Sequence, residues 1–99
     1  MSYAETTLRE HRRLAILRHL EAIPEYSGNA SILQDVLNGL KITSTRSQVL
    51  TDLAWLEEQG FVKLREHDDL VLVTATQAGV EIARGLARHP QIRRPGPLD

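Results

Sequence analysis

The sequence predicts a mostly helical domain with one small β-hairpin, in the order helix, helix, helix, strand, strand, helix. Three observations point to it. Apolar residues recur at helical spacing in four separate stretches. Pro24, Gly39 and Gly60 punctuate those stretches. Two β-favouring runs, residues 61–65 (FVKLR) and 70–75 (LVLVTA), are joined by four polar residues.

The first helix is read over residues 4–22, with Leu8, Ile16, Leu17, Leu20 and Ile23 on one arc and Pro24 as its stop. Leu14 falls off that arc and is therefore expected to be exposed. Residues 25–29 (EYSGN) have the composition of a turn. A second helix over 30–38 carries the stripe Ile32, Leu33, Val36, Leu37 and Leu40, and Gly39 is placed to end it in a left-handed conformation.

The third helix is read over 44–59. Ser44 or Thr45 caps it, Val49, Leu50, Leu53 and Leu56 form its buried stripe, and Gly60 closes it. The tight linker between the second and third helices fits a helix-turn-helix. The hairpin follows, with Glu66, His67, Asp68 and Asp69 as its loop. Thr76 then caps a fourth helix to about residue 86, facing inward with Val80, Ala83, Leu86 and Ala87. Residues 1–87 are thus read as the domain and 88–99, rich in proline and arginine, as a flexible tail.

Composition narrows the function. The 99 residues leave room for one core. The absence of cysteine excludes disulfides, thiolate zinc sites and a cysteine nucleophile, and fits a reducing compartment. No apolar run approaches a membrane span, and the first residues mix acids and bases without an apolar core, so a cytoplasmic protein is expected.

His11, His19, His67 and His89 are scattered, and the first two are too far apart along a helix to chelate together, so neither a metal nor another cofactor is expected. No phosphate-cradling glycine loop, nucleophile elbow or paired acid and base is present, which argues against an enzyme. Trp55 projects away from the core stripe of its helix and is read as a packing or interface residue.

Residues 53–62 (LAWLEEQGFV) resemble the end of the recognition helix and the first wing strand of ArsR-like and MarR-like regulators, in the pattern Leu-x-x-Leu-x-x-x-Gly-aromatic-Val. Thr76-x-x-Gly79 is similar to the opening of their post-wing helix, where the threonine caps and the glycine permits close packing. Residues 13–20 (RLAILRHL) are similar to their apolar first helix. In length and in residues 11–18 (HRRLAILR), the chain resembles small winged-helix proteins of Mu-like prophages. The resemblance implies a winged helix-turn-helix and a DNA-binding transcriptional regulator, expected as a homodimer on double-stranded DNA.

In that docking the N-terminal end of the third helix enters the major groove, with Ser44, Thr45, Arg46, Ser47, Gln48 and Thr51 toward bases, while Lys63 and Arg65 on the open face of the hairpin reach phosphates. Arg93 and Arg94 are a further basic pair, read as a solvated terminus or as an arm on DNA. Leu14 is the expected dimer contact. A second reading is a winged-helix module that binds a partner protein and ignores DNA. The net charge of −1, the acidic loop at 66–69 and Asp52 on the third helix favour it, because carboxylates repel phosphates.

Overall fold

Helix α1 (Tyr3–Ala22) opens on Ser2, whose hydroxyl accepts the Glu5 amide, and stops before Pro24. In the computed structural model, which describes residues 2–96, it is followed by a single 3₁₀ turn at Pro24–Tyr26 and then by strand β1 (Ser27–Asn29). Then come α2 (Ala30–Gly39), α3 (Arg46–Glu58), β2 (Val62–His67), β3 (Leu70–Ala75) and α4 (Gln77–Ala83). The described residues are mostly helical, with four α-helices and one three-stranded antiparallel sheet in the order β1-β3-β2.

The apolar stripes account for the packing. Ile16, Leu17 and Leu20 of α1 meet Leu33 and Leu37 of α2 and Val49, Leu53 and Leu56 of α3 in one core, which Val62, Val73 and Val80 close from the hairpin and α4. Along the hairpin, side chains alternate between faces. Val62 opposite Ala75 and Leu64 opposite Val73 turn inward, while Lys63 opposite Thr74 and Arg65 opposite Leu72 turn outward.

Several expectations are corrected. Residues 27–29 are a strand rather than part of a turn: Ser27, Gly28 and Asn29 pair with Thr74, Val73 and Leu72, and the Ser27 and Thr74 hydroxyls meet at 2.8 Å. Leu14 is buried in the core, 4% exposed, which removes it as a free self-association contact. The α2 stripe is narrower than its spacing suggests, since Ile32 (51%) and Leu40 (58%) are exposed. Gly39 ends α2 without a left-handed conformation, which falls instead on Lys41 (φ 66°). The fourth helix stops at Ala83 because Gly85 turns left-handed (φ 76°), leaving Leu86 exposed.

The segment after α4 is packed, not loose, over residues 88–96. Ile92 is buried, the Arg93 amide donates to the Glu10 carbonyl at 3.1 Å, and the Arg13 guanidinium donates to the Gln91 carbonyl at 2.9 Å. Residues 97–99 of the expected tail lie outside the described residues. Truncating a buried isoleucine removes transfer energy and leaves a cavity. Ile92→Ala is therefore expected to lower stability by about 2–4 kcal/mol in urea unfolding, whereas a solvated tail gives no change.

Gly79 is a second packing point. A Cβ there would fall on the carbonyl oxygen of Phe61, whereas at Gly39 it would meet open space. Gly79→Ala should destabilise by more than about 2 kcal/mol, while Gly39→Ala should stabilise by a few tenths up to about 1 kcal/mol. Equal effects at the two glycines would contradict this packing.

Candidate nucleic-acid interface

The local chemistry of α3 fixes its N-terminal end. The Thr45 hydroxyl accepts the Gln48 amide at 3.1 Å, and the Gln48 side-chain oxygen accepts the Thr45 amide at 2.9 Å. This reciprocal capping box satisfies donors that a helix start otherwise leaves unpaired. Asn38 ties the preceding turn: its side-chain oxygen accepts the Ser44 amide at 2.9 Å, and its amide donates to the Ser44 carbonyl at 3.2 Å.

Beneath this end sits a buried ionic cluster. Asp52 is 2% exposed, and one arginine of α1 occupies each of its oxygens: Arg12 Nη1 at 2.9 Å and Arg13 Nε at 3.0 Å. Arg12 Nε donates to the Ser44 hydroxyl at 2.8 Å, which itself donates to the Ile42 carbonyl at 2.7 Å. Arg13 lies over the Trp55 ring, 3.8 Å from its centroid, and the His89 ring stands perpendicular to the same ring with centroids 5.0 Å apart. Every buried side-chain polar atom among the described residues has a partner, as burial of charge requires.

The eight residues expected to contact DNA are therefore placed unequally. Ser44 is buried and spent on Arg12 and Ile42, so it turns inward and leaves the surface set. Thr45 and Gln48 are exposed but hold each other in the cap. Arg46, Ser47 and Thr51 are exposed, and Arg46 Nη1 donates to the Ser31 hydroxyl of α2 at 3.3 Å.

Lys63 and Arg65 line an open groove of about 920 Å³ together with Glu25, Ser27, Asn29, Ile32 and Leu72. Ser31 is the neighbour in sequence of Ile32, so α2 bridges Arg46 to the two basic residues of the sheet. Ser47, Gln48 and Thr51 line a second, smaller cleft of about 250 Å³ with Glu5 and Arg9 of α1 and the Arg12–Asp52 pair. Ser31, Ile32 and Arg9 were not legible as site residues, because their proximity depends on β1 and on the α1–α3 packing.

Asp52, which seemed to spoil the helix face, is nearly buried and paired with Arg12 and Arg13 at the base of the cleft beside Ser47, Gln48 and Thr51. The exposed residues from Thr45 to Ala54 are Thr45, Arg46, Ser47, Gln48, Thr51 and Ala54, and Arg46 is the one charge among them. Glu57 and Glu58 are exposed only at the far end, where the Glu57 carboxylate accepts the Leu64 amide at 2.9 Å.

Removing one partner of a buried ion cluster strands the others without compensation, at about 3–5 kcal/mol. Asp52→Ala is expected to lower unfolding free energy by about that much. Replacing Arg12, Arg13 and Asp52 together by apolar residues of similar volume should be nearly neutral. A single Asp52→Ala loss below about 1 kcal/mol would contradict the buried pairing.

No family model matches the chain. Among described residues, no helix is long and apolar enough to cross a membrane, and no three His, Asp or Glu side chains gather as a metal site would require. Over 90 residues the chain is 38% identical to the uncharacterized protein gp26 of Escherichia phage Mu, an alignment that spans 91% of this chain and 93% of that protein. The chain belongs to the family of that phage Mu protein.

Proposed function

We propose that the chain is a winged-helix protein that binds double-stranded DNA through α3 and the β2–β3 hairpin, in transcriptional control. The element order helix, strand, helix, helix, strand, strand supports the fold reading. The observation that carries the functional one is the inward turn of Asp52 onto Arg12 and Arg13. It neutralises the carboxylate of α3 and leaves the exposed N-terminal residues of that helix as hydroxyls, an amide and Arg46, suited to base edges and phosphates, while Glu5 of α1 lines the adjoining cleft. Lys63 and Arg65 extend that face across Ser31 and Ile32. Near-neutral overall charge is compatible with this, because binding responds to local charge at the contact.

Arg46, Ser47 and Thr51 are the base-reading candidates. Gln48 is less suited, since its side-chain oxygen is committed to the cap. Arg9, beside Ser47 and Thr51, is a phosphate candidate along with Lys63 and Arg65. The protein-binding alternative keeps one specific support: the hairpin turn presents Asp68 and Asp69 where a basic tip would grip DNA.

The test is fluorescence anisotropy with duplex DNA flanking the chain's own gene, from about 50 to 200 mM salt. Arg46→Ala should weaken specific binding about 5- to 150-fold and relax preference at one position. Lys63→Ala or Arg65→Ala should weaken binding to all sequences and reduce the salt slope by about one unit. No measurable affinity at the lowest salt would overturn the DNA reading in favour of a protein partner.

A further inference from the structure

The segment after α4 carries charge that the fold leaves unused. Residues 84–96 hold Arg84, Arg88, Arg93 and Arg94 and no carboxylate. Arg84 is spent on Glu21 of α1, Nε to Oε1 at 3.1 Å. Arg88, Arg93 and Arg94 are exposed, and among the described residues their side chains form no ion pair. Together with His89 they ring a hollow of about 20 Å³ whose remaining lining is apolar, Ile82 and Ile92 included. A hollow of that size admits about one water-sized group. It suits one oxygen of a phosphate resting on the surface rather than an enclosed ligand.

The same charge on a loose chain would be a solvated terminus, but this segment is held. His89 Nδ1 accepts the Gln91 amide at 3.0 Å, and the His89 carbonyl accepts the Ile92 amide at 3.2 Å, which closes a turn. The His89 ring stands perpendicular to Trp55 and to Phe61, with centroids 5.0 and 5.8 Å away. Ile92 is buried, and the ties to Arg13 and to the Glu10 carbonyl fix the backbone on α1. The half-buried Glu10 gives that carbonyl while its carboxylate joins no ion pair among the described residues. Arginines on a backbone already in place cost less ordering on binding than those of a free arm.

The anchor also sets where the segment lies relative to α3. Trp55 follows Thr51 by four residues, so the two share one side of that helix. Glu57, whose carboxylate accepts the Leu64 amide of β2, is two residues beyond Trp55 and about 200° around the helix. The N-terminal face of α3 is thus flanked by the hairpin, with Lys63 and Arg65, and on its other side by the C-terminal segment. Arg9, in the cleft beside Thr51, immediately precedes the residue that holds the Arg93 amide.

We infer that Arg88, Arg93 and Arg94 form a second phosphate contact, which holds the duplex backbone on the side of α3 opposite the hairpin. A helix lying in the major groove has a phosphate strand on each side of it. The contact recognises backbone charge and reads no base. It rests on the DNA reading proposed above, and its test separates the two.

The experiment is fluorescence anisotropy of the full chain, from about 50 to 200 mM salt, with duplex DNA flanking its own gene and an unrelated duplex of equal length. Arg88→Ala, Arg93→Ala and Arg94→Ala should each reduce the salt slope by about one unit on both duplexes. The triple variant should bind at least about ten-fold more weakly at the lowest salt, with the preference between duplexes unchanged. Circular dichroism should match the wild type, because the three side chains are exposed, and the single variants carry the test should the triple variant not fold. Arg93→Lys with Arg94→Lys should keep the slope, since charge and not shape makes the contact. Alanine variants with wild-type slope and affinity, beside a Lys63→Ala variant that still loses both, would overturn this inference and leave the DNA reading standing. No binding by the wild type at the lowest salt would overturn both.

Discussion

One buried carboxylate organises the surface that matters. Asp52 receives Arg12 on one oxygen and Arg13 on the other, which locks the middle of α3 against α1 and sets the rotation of α3 about its own axis. Two guanidinium groups on one carboxylate leave a buried excess of positive charge. The remaining donors find Ser44 and the Gln91 carbonyl, and the face of Trp55 takes the Arg13 cation. A rotation of α3 by one residue would expose the carboxylate and strand both arginines. Such a cluster adds little net stability compared with an apolar core, but it penalises every alternative packing of the two helices. The same contacts reach the turn before α3 through Ser44 and the C-terminal segment through Gln91, so three regions distant in sequence share one electrostatic anchor.

That arrangement separates charge across the molecule. Two of the arginines of α1, Arg12 and Arg13, are inside, neutralised in part by Asp52. The exposed acids of α3 and the hairpin collect at Glu57, Glu58 and the turn at Asp68 and Asp69, away from the Arg46 end of α3. A net charge near zero therefore coexists with an α3 face whose one charge is positive and with a hairpin tip that is acidic. The weakness of the bulk charge signal reflects this internal pairing and the separation of the exposed acids from the exposed bases.

Helix positions were legible in the sequence to within a few residues, because their causes are local. Pro24 cannot continue α1, Gly60 takes the positive φ after α3, and Thr76 caps α4 from one side chain. The hairpin was legible from its alternation. Strand β1 was not, since Ser27, Gly28 and Asn29 have no apolar rhythm and become a strand only by pairing with β3. Leu14 was misplaced because a helical wheel assumes one buried face, whereas α1 is covered on several sides and buries even Arg12 and Arg13. Ile92 was hidden for the opposite reason: a single apolar residue among prolines and arginines has no period. Of the site, the exposure of Arg46, Ser47, Thr51, Lys63 and Arg65 was legible from spacing. The burial of Ser44 and the inward turn of Asp52 were not, because their partners lie more than thirty positions away on α1.

The most direct test of the account is a nuclear magnetic resonance titration of the chain with duplex DNA at low salt, which reads contact residue by residue. The account predicts that amide shifts cluster at Thr45, Arg46, Ser47 and Thr51, with Lys63 and Arg65 following, while Asp52 and the core of α1 stay unmoved. Shifts confined to other surfaces, or no shifts at saturating DNA, would contradict it.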